Sequence, residues 1–110
     1  KRIIQLVAPT VAKLGFENGA TLKEIYQRAQ ELGLPLCPAE VGPQLRLQYK
    51  DQLKGEWIRI AMEPISYSFG ALRIFYVHRD DDGLWLNAND GYPDRFCLAG
   101  YRFAFVLPQV

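Results

Sequence analysis

Cys37, Glu40 and His78 are the residues of this 110-residue chain whose types and surroundings come closest to catalysis. Cys37 stands in "LPLCPAEVGP", just ahead of a proline that can open a single helical turn over "PAEV". A thiol becomes a nucleophile only as the thiolate, which needs a base, a cation or a helix N-terminus beside it. His78 is the sole histidine and ends "LRIFYVHR" next to Arg79 and the run Asp80–Asp82. General acid–base work there would use His78 with Asp80 or Asp82. Each of these residues also has a plainer role. A buried thiol packs like a small apolar residue, and a histidine at a strand end pairs with a turn carboxylate. No oxyanion donor or second catalytic group is legible near either one. The three are therefore weak catalytic candidates.

Other chemistries lack their residues. Cys37 and Cys97 lie 60 positions apart with one histidine in the chain, so no zinc spacing exists. Neither a G-x-G-x-x-G nor a G-x₄-G-K-[ST] run occurs, and "DDDG" and "NANDG" lack the alternating acidic positions of a calcium loop. The sequence thus predicts no metal and no cofactor. Two cysteines are too few to stabilise a domain of this size, and reduced thiols are expected.

What remains is a surface. Taken as strands, the second half of the chain sends Arg46, Gln48, Trp57 and Arg59 to a solvated sheet face, with Arg73 near them and Arg102 alternating outward from the last strand. Arginine and tryptophan are the side chains most often found at the centre of protein interfaces. They also stack bases and bind phosphate. A protein partner is the first expectation. A nucleic-acid module, of the RNA-directed toxin or antidote type, is the alternative, and an enzyme centred on Cys37 or His78 the second alternative. Charge weighs against nucleic acid. Residues 44–79 hold six Lys/Arg against three Asp/Glu, but residues 80–110 hold two against five, and the whole chain sums to only +1.

The elements that would carry these side chains are read from periodicity. Ile4, Val7, Val11 and Leu14 recur at helical spacing, predicting an amphipathic helix over the first fifteen residues that ends at Gly15 and is complicated by Pro9. "TLKE" is a capping box that opens a second helix, Leu22 to Leu32, stopped by Gly33 and Pro35. From Gln44 the period shortens to two: Leu45, Leu47 and Tyr49 alternate with Arg46, Gln48 and Lys50. "EWIRIAM", "LRIFYVHR", "LWLNA" and "YRFAFVL" read as further strands, with "DDDG" as a hairpin turn. The predicted fold is α+β: two N-terminal helices packed on one face of a mostly antiparallel sheet of about five strands. It forms a single domain over 1–110, with 1–33 helical, 34–43 a joint and 44–110 the sheet.

No run approaches the roughly 18 apolar residues of a membrane helix. The opening "KRIIQLVAPTVAK" is too interrupted by Gln5, Pro9 and Thr10 for a secretory signal, so a cytoplasmic setting without a membrane partner is expected. The stretch "TLKEIYQRAQELGLPLCPAEVGPQLRLQY", continued by "GEWIRIAMEPI", resembles an uncharacterised family of small bacterial proteins. The resemblance covers the middle half of the chain. It implies a bacterial origin and carries over no functional residue.

Overall fold

Thr21 and Glu24 cap each other as the sequence requires. In a computed structural model that describes residues 3–108, the Glu24 amide donates to Thr21 Oγ1 at 3.2 Å, and the Thr21 amide donates to Glu24 Oε1 at 2.9 Å. Helix α1, Leu22–Glu31, follows, burying Leu22, Ile25 and Ala29. Gly33 beyond it takes φ +75, the left-handed stop. Tyr26 anchors the helix: its hydroxyl donates to Met62 O and accepts from Met62 N, both at 3.0 Å. Thr21→Ala is expected to lower the unfolding free energy by about 1 kcal/mol, read as a shift in the urea midpoint at unchanged slope.

The expected first helix does not form. Leu6–Val7 is instead a short strand, β1, and Ala12–Leu14 a single 3₁₀ turn closed by Gly15 at φ 110. Pro9 explains the difference, since it has no amide to give a helix interior. Val11 and Leu14 are still buried, so one apolar pair at helical spacing serves one turn rather than four. Lys1 and Arg2, which the expected helix included, lie outside the described residues.

The second departure falls at Gln44. Val41–Gln48 is helix α2, not a strand, so the joint is shorter than 34–43, and the sheet, which already takes β1 from the N-terminal part, resumes only at Trp57. Alternation of Leu45, Leu47 and Tyr49 is compatible with both periods. What decides is tertiary: Val41 and Leu45, four apart, face the protein, while Leu47 is left 65% exposed. A turn at Ala39–Glu40, with the Val41 amide bonded to Pro38 O at 3.0 Å, leads straight into the helix. Pro43 then sits in the first turn, where its missing amide costs nothing.

The main sheet has six strands: β1, β3 (Trp57–Ile60), β4 (Ile65–Ser66), β5 (Leu72–Asp80), β6 (Gly83–Asp90) and β8 (Arg102–Val106). Their order is β1-β8-β3-β5-β4, with β6 on the other side of β5. Every pairing is antiparallel except β3 with β8, which is parallel, so the sheet is mixed rather than a meander. Ala20–Thr21 (β2) and Phe96–Cys97 (β7) form a separate two-stranded ribbon. β5 is central, as its apolar sequence predicts, and Asp81–Asp82 make the tight turn to β6 with Gly83 at φ 138.

Register fixes the two faces, because directly opposed residues point the same way. One face carries the rows Trp57–His78–Trp85 and Arg59–Tyr76–Asn87, and the other carries Ile58–Val77–Leu86 and Phe75–Ala88. α2 covers the second face. It lies so close that a Cβ at Gly42 would sit 2.9 Å from Phe75 Cδ2. Phe103, Phe105, Ile25, Ile60, Met62 and Val11 are fully buried, in one core that draws on every layer. No helix among the described residues is long and apolar enough to cross a membrane.

Candidate functional site: an arginine in an aromatic cleft

Trp57 and Arg59 alternate outward from β3 onto the face that α2 leaves open, and the neighbouring strand supplies rings to meet them. The Trp57 ring stacks on Tyr76 at 4.5 Å between centroids and on His78 at 4.4 Å, with interplanar angles of 13° and 24°. Its outer side is exposed, as is Trp85 at the end of the same row. Arg59 turns the other way along the strand. Its guanidinium carbon lies 3.7 Å from the centroid of the Tyr101 ring and 5.7 Å from that of Trp57.

Arg59 is only 8% exposed, yet among the described residues it makes no ion pair and no side-chain hydrogen bond. Burial lowers its pKa from the ordinary arginine value, and the Tyr101 hydroxyl pulls weakly the other way. The guanidinium lines a cleft of about 490 Å³ together with Gly55, Glu56, Trp57, Gly100, Tyr101 and Arg102. The one carboxylate in the lining, Glu56, accepts the Tyr49 hydroxyl at 2.7 Å and forms no ion pair with Arg59. Arg102 donates to Ala8 O at 2.8 Å and adds a second positive charge to the wall. The cleft therefore offers a planar cation with unused donors, flanked by two aromatic surfaces. That arrangement accepts a carboxylate or phosphate through paired N–H bonds.

The other expected surface residues are not part of it. Arg46 belongs to α2 and so to the opposite side of the sheet from Arg59. Its Nη1 donates to Gln52 Oε1 (2.9 Å), His78 O (3.2 Å) and Trp85 O (2.9 Å), and its Nη2 to Tyr49 O (2.7 Å). It is a structural knot, not a docking side chain. Gln48 and Glu40 line a separate, largely apolar groove of about 670 Å³ between α2 and the N-terminal segment, with Ile4, Leu6, Val41 and Leu45. Arg73 projects to the α2 side and pairs with Asp90, which also holds Arg95 at 2.9 Å. The single arginine-bearing sheet face thus reduces to Trp57 and Arg59.

Nor do the catalytic candidates converge. Cys37 is 4% exposed, its Sγ donating to Ala104 O at 3.3 Å, while Glu40 is exposed on the approach to α2. His78 lies flat beneath Trp57, with Nδ1 sealed from solvent and unpartnered. Asp80 does not serve it. Its Oδ1 accepts Trp85 Nε1 at 2.8 Å and the amides of Asp82 and Gly83, and the Trp85 bond leads the lowering of its pKa. Among the described residues no cluster of three His, Cys, Asp or Glu stands close enough to hold a metal.

Both cysteines are free thiols. Burial pushes the Cys37 thiol from 9.0 up to about 12, and burial also raises Cys97. A group whose folded pKa is raised supports the fold fully below its unfolded pKa and loses that support as pH rises through the folded value. Stability is therefore expected to fall between about pH 9 and 12, as the unfolded chain ionises and the folded one resists. Iodoacetamide should leave Cys37 unmodified at pH 8 until denaturant is added; rapid native alkylation would contradict the burial.

Sequence reasoning found Trp57 and Arg59 but missed Tyr101, Tyr76 and Gln52. Tyr76 was in reach, since strand pairing of "EWIRIAM" with "LRIFYVHR" already sets one aromatic row beside another. Tyr101 depends on the parallel return of β8 beside β3, for which the sequence carries no local signal. No protein family, curated protein or solved structure matches the chain.

Proposed function

We propose that the chain is a non-catalytic binding module that captures a carboxylate-bearing segment of a partner protein in the cleft beside Arg59. The observation that carries this reading is the guanidinium of Arg59, a residue only 8% exposed, which is unpaired among the described residues, stacked on Tyr101 and open to the cleft. Burying an arginine without a counter-ion is costly, and a fold that leaves it so leaves it for something to complete. The cleft is the size of one or two residues of an incoming chain. Trp57 and Tyr101 supply the flat apolar contact that usually accompanies an arginine at the energetic centre of an interface. The bacterial origin implied by the resemblance, and a cytoplasmic setting, belong to the same proposal.

The stacked Trp57–Tyr76–His78 rings beside Arg59 favour one other reading, a base of single-stranded nucleic acid laid on Trp57 with its phosphate on Arg59. The acidic turn Asp80–Asp82, beyond His78 on β5, opposes it more than it opposes a peptide. A nucleic-acid strand brings a phosphate at every nucleotide, and the peptide a single carboxylate.

Tryptophan fluorescence separates the two. Short peptides ending in a free carboxylate after an aromatic residue should shift the emission, and their C-terminally amidated versions should bind at least about tenfold more weakly. If a single-stranded oligonucleotide binds instead, with an affinity that drops steeply with salt, the nucleic-acid reading replaces this one. No response to either would leave the cleft without a role.

A further inference from the structure

The edge strand β6 points to a second copy of this chain. Ladder geometry fixes which of its main-chain groups are free. The Gly91 amide bonds Leu72 O at 2.9 Å, and on the far side of β5 the Arg79 amide bonds Glu56 O and the Tyr67 amide bonds Ala71 O. Even-numbered residues of β5 therefore face β6, and odd-numbered residues of β6 face β5. Leu84, Leu86, Ala88 and Asp90 turn their amides and carbonyls outward. The Asp90 amide is answered by Asn89 Oδ1 at 2.8 Å. Leu84, Leu86 and Ala88 are not answered: among the described residues no strand pairs with that side of β6.

Sheet edges of this length ordinarily carry a lysine, a proline or a bulge that discourages pairing. Leu84 to Asn89, "LWLNAN", has none of these and no charge. The stretch is also self-complementary. Set antiparallel about Leu86, two copies place Leu86 opposite Leu86 and Leu84 opposite Ala88, and each of those pairs exchanges both main-chain bonds, about six in all. The side chains of all three residues lie on the α2 side of the sheet and meet their apolar counterparts there. On the other side Trp85, which is 42% exposed, falls opposite Asn87.

Charge decides for a second copy over an unrelated strand. In this register Asp90 of one strand falls opposite Asp82 in the turn of the other, so the sign of the contact is set by what accompanies each carboxylate. Asp90 brings Arg73 and Arg95 with it, a net positive group, whereas the turn carries Asp80–Asp82 with only Lys54, paired to Asp81, against them, and Asp82 makes no ion pair among the described residues. A cluster of two cations and one anion thus faces an acidic turn, twice, by the two-fold symmetry of the pair. We infer that the chain forms a two-fold dimer by antiparallel pairing of its β6 edges, joining two sheets into one. This inference stands apart from the Arg59 cleft, which lies beyond β5 and β3 from that edge.

Sedimentation analysis across a concentration range, combined with hydrogen exchange, tests it. The expected result is a monomer–dimer equilibrium in which the amides of Leu84, Leu86 and Ala88 slow as dimer accumulates. Ala88→Pro removes an outward amide that the fold itself does not use, and should raise the dissociation constant at least about 100-fold. Leu84→Lys, at a side chain already 37% exposed, should do the same by putting a charge on the seam. A dimer that survives both variants, or one whose three edge amides exchange at the monomer's rate, overturns the proposal. So does a chain that stays monomeric to about 1 mM, whether the edge is idle or reserved for a strand of another protein.

Discussion

Gln52→Leu is expected to destabilise the folded chain by about 3 kcal/mol, although it exchanges a polar side chain for an apolar one at a fully buried position. Burial alone would predict the opposite sign, so the direction is informative. Gln52 Oε1 accepts from Arg46 Nη1 at 2.9 Å, while its Nε2 donates to Glu56 O and Val77 O, each at 3.2 Å. Arg46 in turn holds His78 O, Trp85 O and Tyr49 O. One amide and one guanidinium therefore tie α2 to the ends of β3, β5 and β6. Arg46 Nε is already sealed without a partner, and burial lowers the pKa of the group. Removing Gln52 strips a charged, desolvated group of another acceptor and takes the second donor from two carbonyls that keep only their ladder partners, the Arg79 amide on Glu56 O and β3 on Val77 O. Leaving buried polar groups under-met costs more than the bonds themselves contribute. Urea unfolding checks this. A loss below about 1 kcal/mol would mean that water enters and replaces the amide. Because the same carbonyls flank Trp57 and His78, the variant should also loosen the aromatic stack, visible as increased exposure of tryptophan emission.

Arg59→Met should do the reverse. The substitution keeps the length and polarisability of the side chain but sheds a desolvated charge that has no partner. It forfeits the stacking on Tyr101, about 0.5–2 kcal/mol for a cation over a ring, and recovers the cost of a guanidinium that is partly desolvated at the cleft wall and has no counter-ion among the described residues. The net expectation is a gain of about 1 kcal/mol in stability together with loss of anion binding. A residue that weakens the fold while completing a site is the pattern expected where function, not stability, keeps it there.

The two arginines were indistinguishable in the sequence, and the reason is physical. Both stand in stretches that alternate, Arg46 in "QLRLQY" and Arg59 in "EWIRIAM". β-Branched Ile58 and Ile60 bias the second stretch toward a strand. Leu45 and Leu47 suit a helix equally well, and the choice is made by Phe75, thirty-odd residues on, which accepts Gly42 and nothing larger. Helix α1 was legible because its signals are local: Thr21, Glu24 and the stop at Gly33. The β5–β6 hairpin was legible for the same reason, through Asp81, Asp82 and Gly83. The parallel pairing of β8 with β3 joins residues more than forty apart and leaves no mark on either segment. With it went Tyr101, and with Tyr101 the reason Arg59 has a cleft to line.

Thermal unfolding of the wild type and Arg59→Met in acetate and in chloride, at one ionic strength, bears most directly on whether Arg59 awaits a carboxylate. A ligand that binds only the folded state raises the midpoint by mass action. The account predicts that acetate lifts the wild-type midpoint above its value in chloride and leaves the variant, already the more stable of the two, unmoved. Equal responses to acetate in both proteins, or a variant that melts well below the wild type, would contradict it.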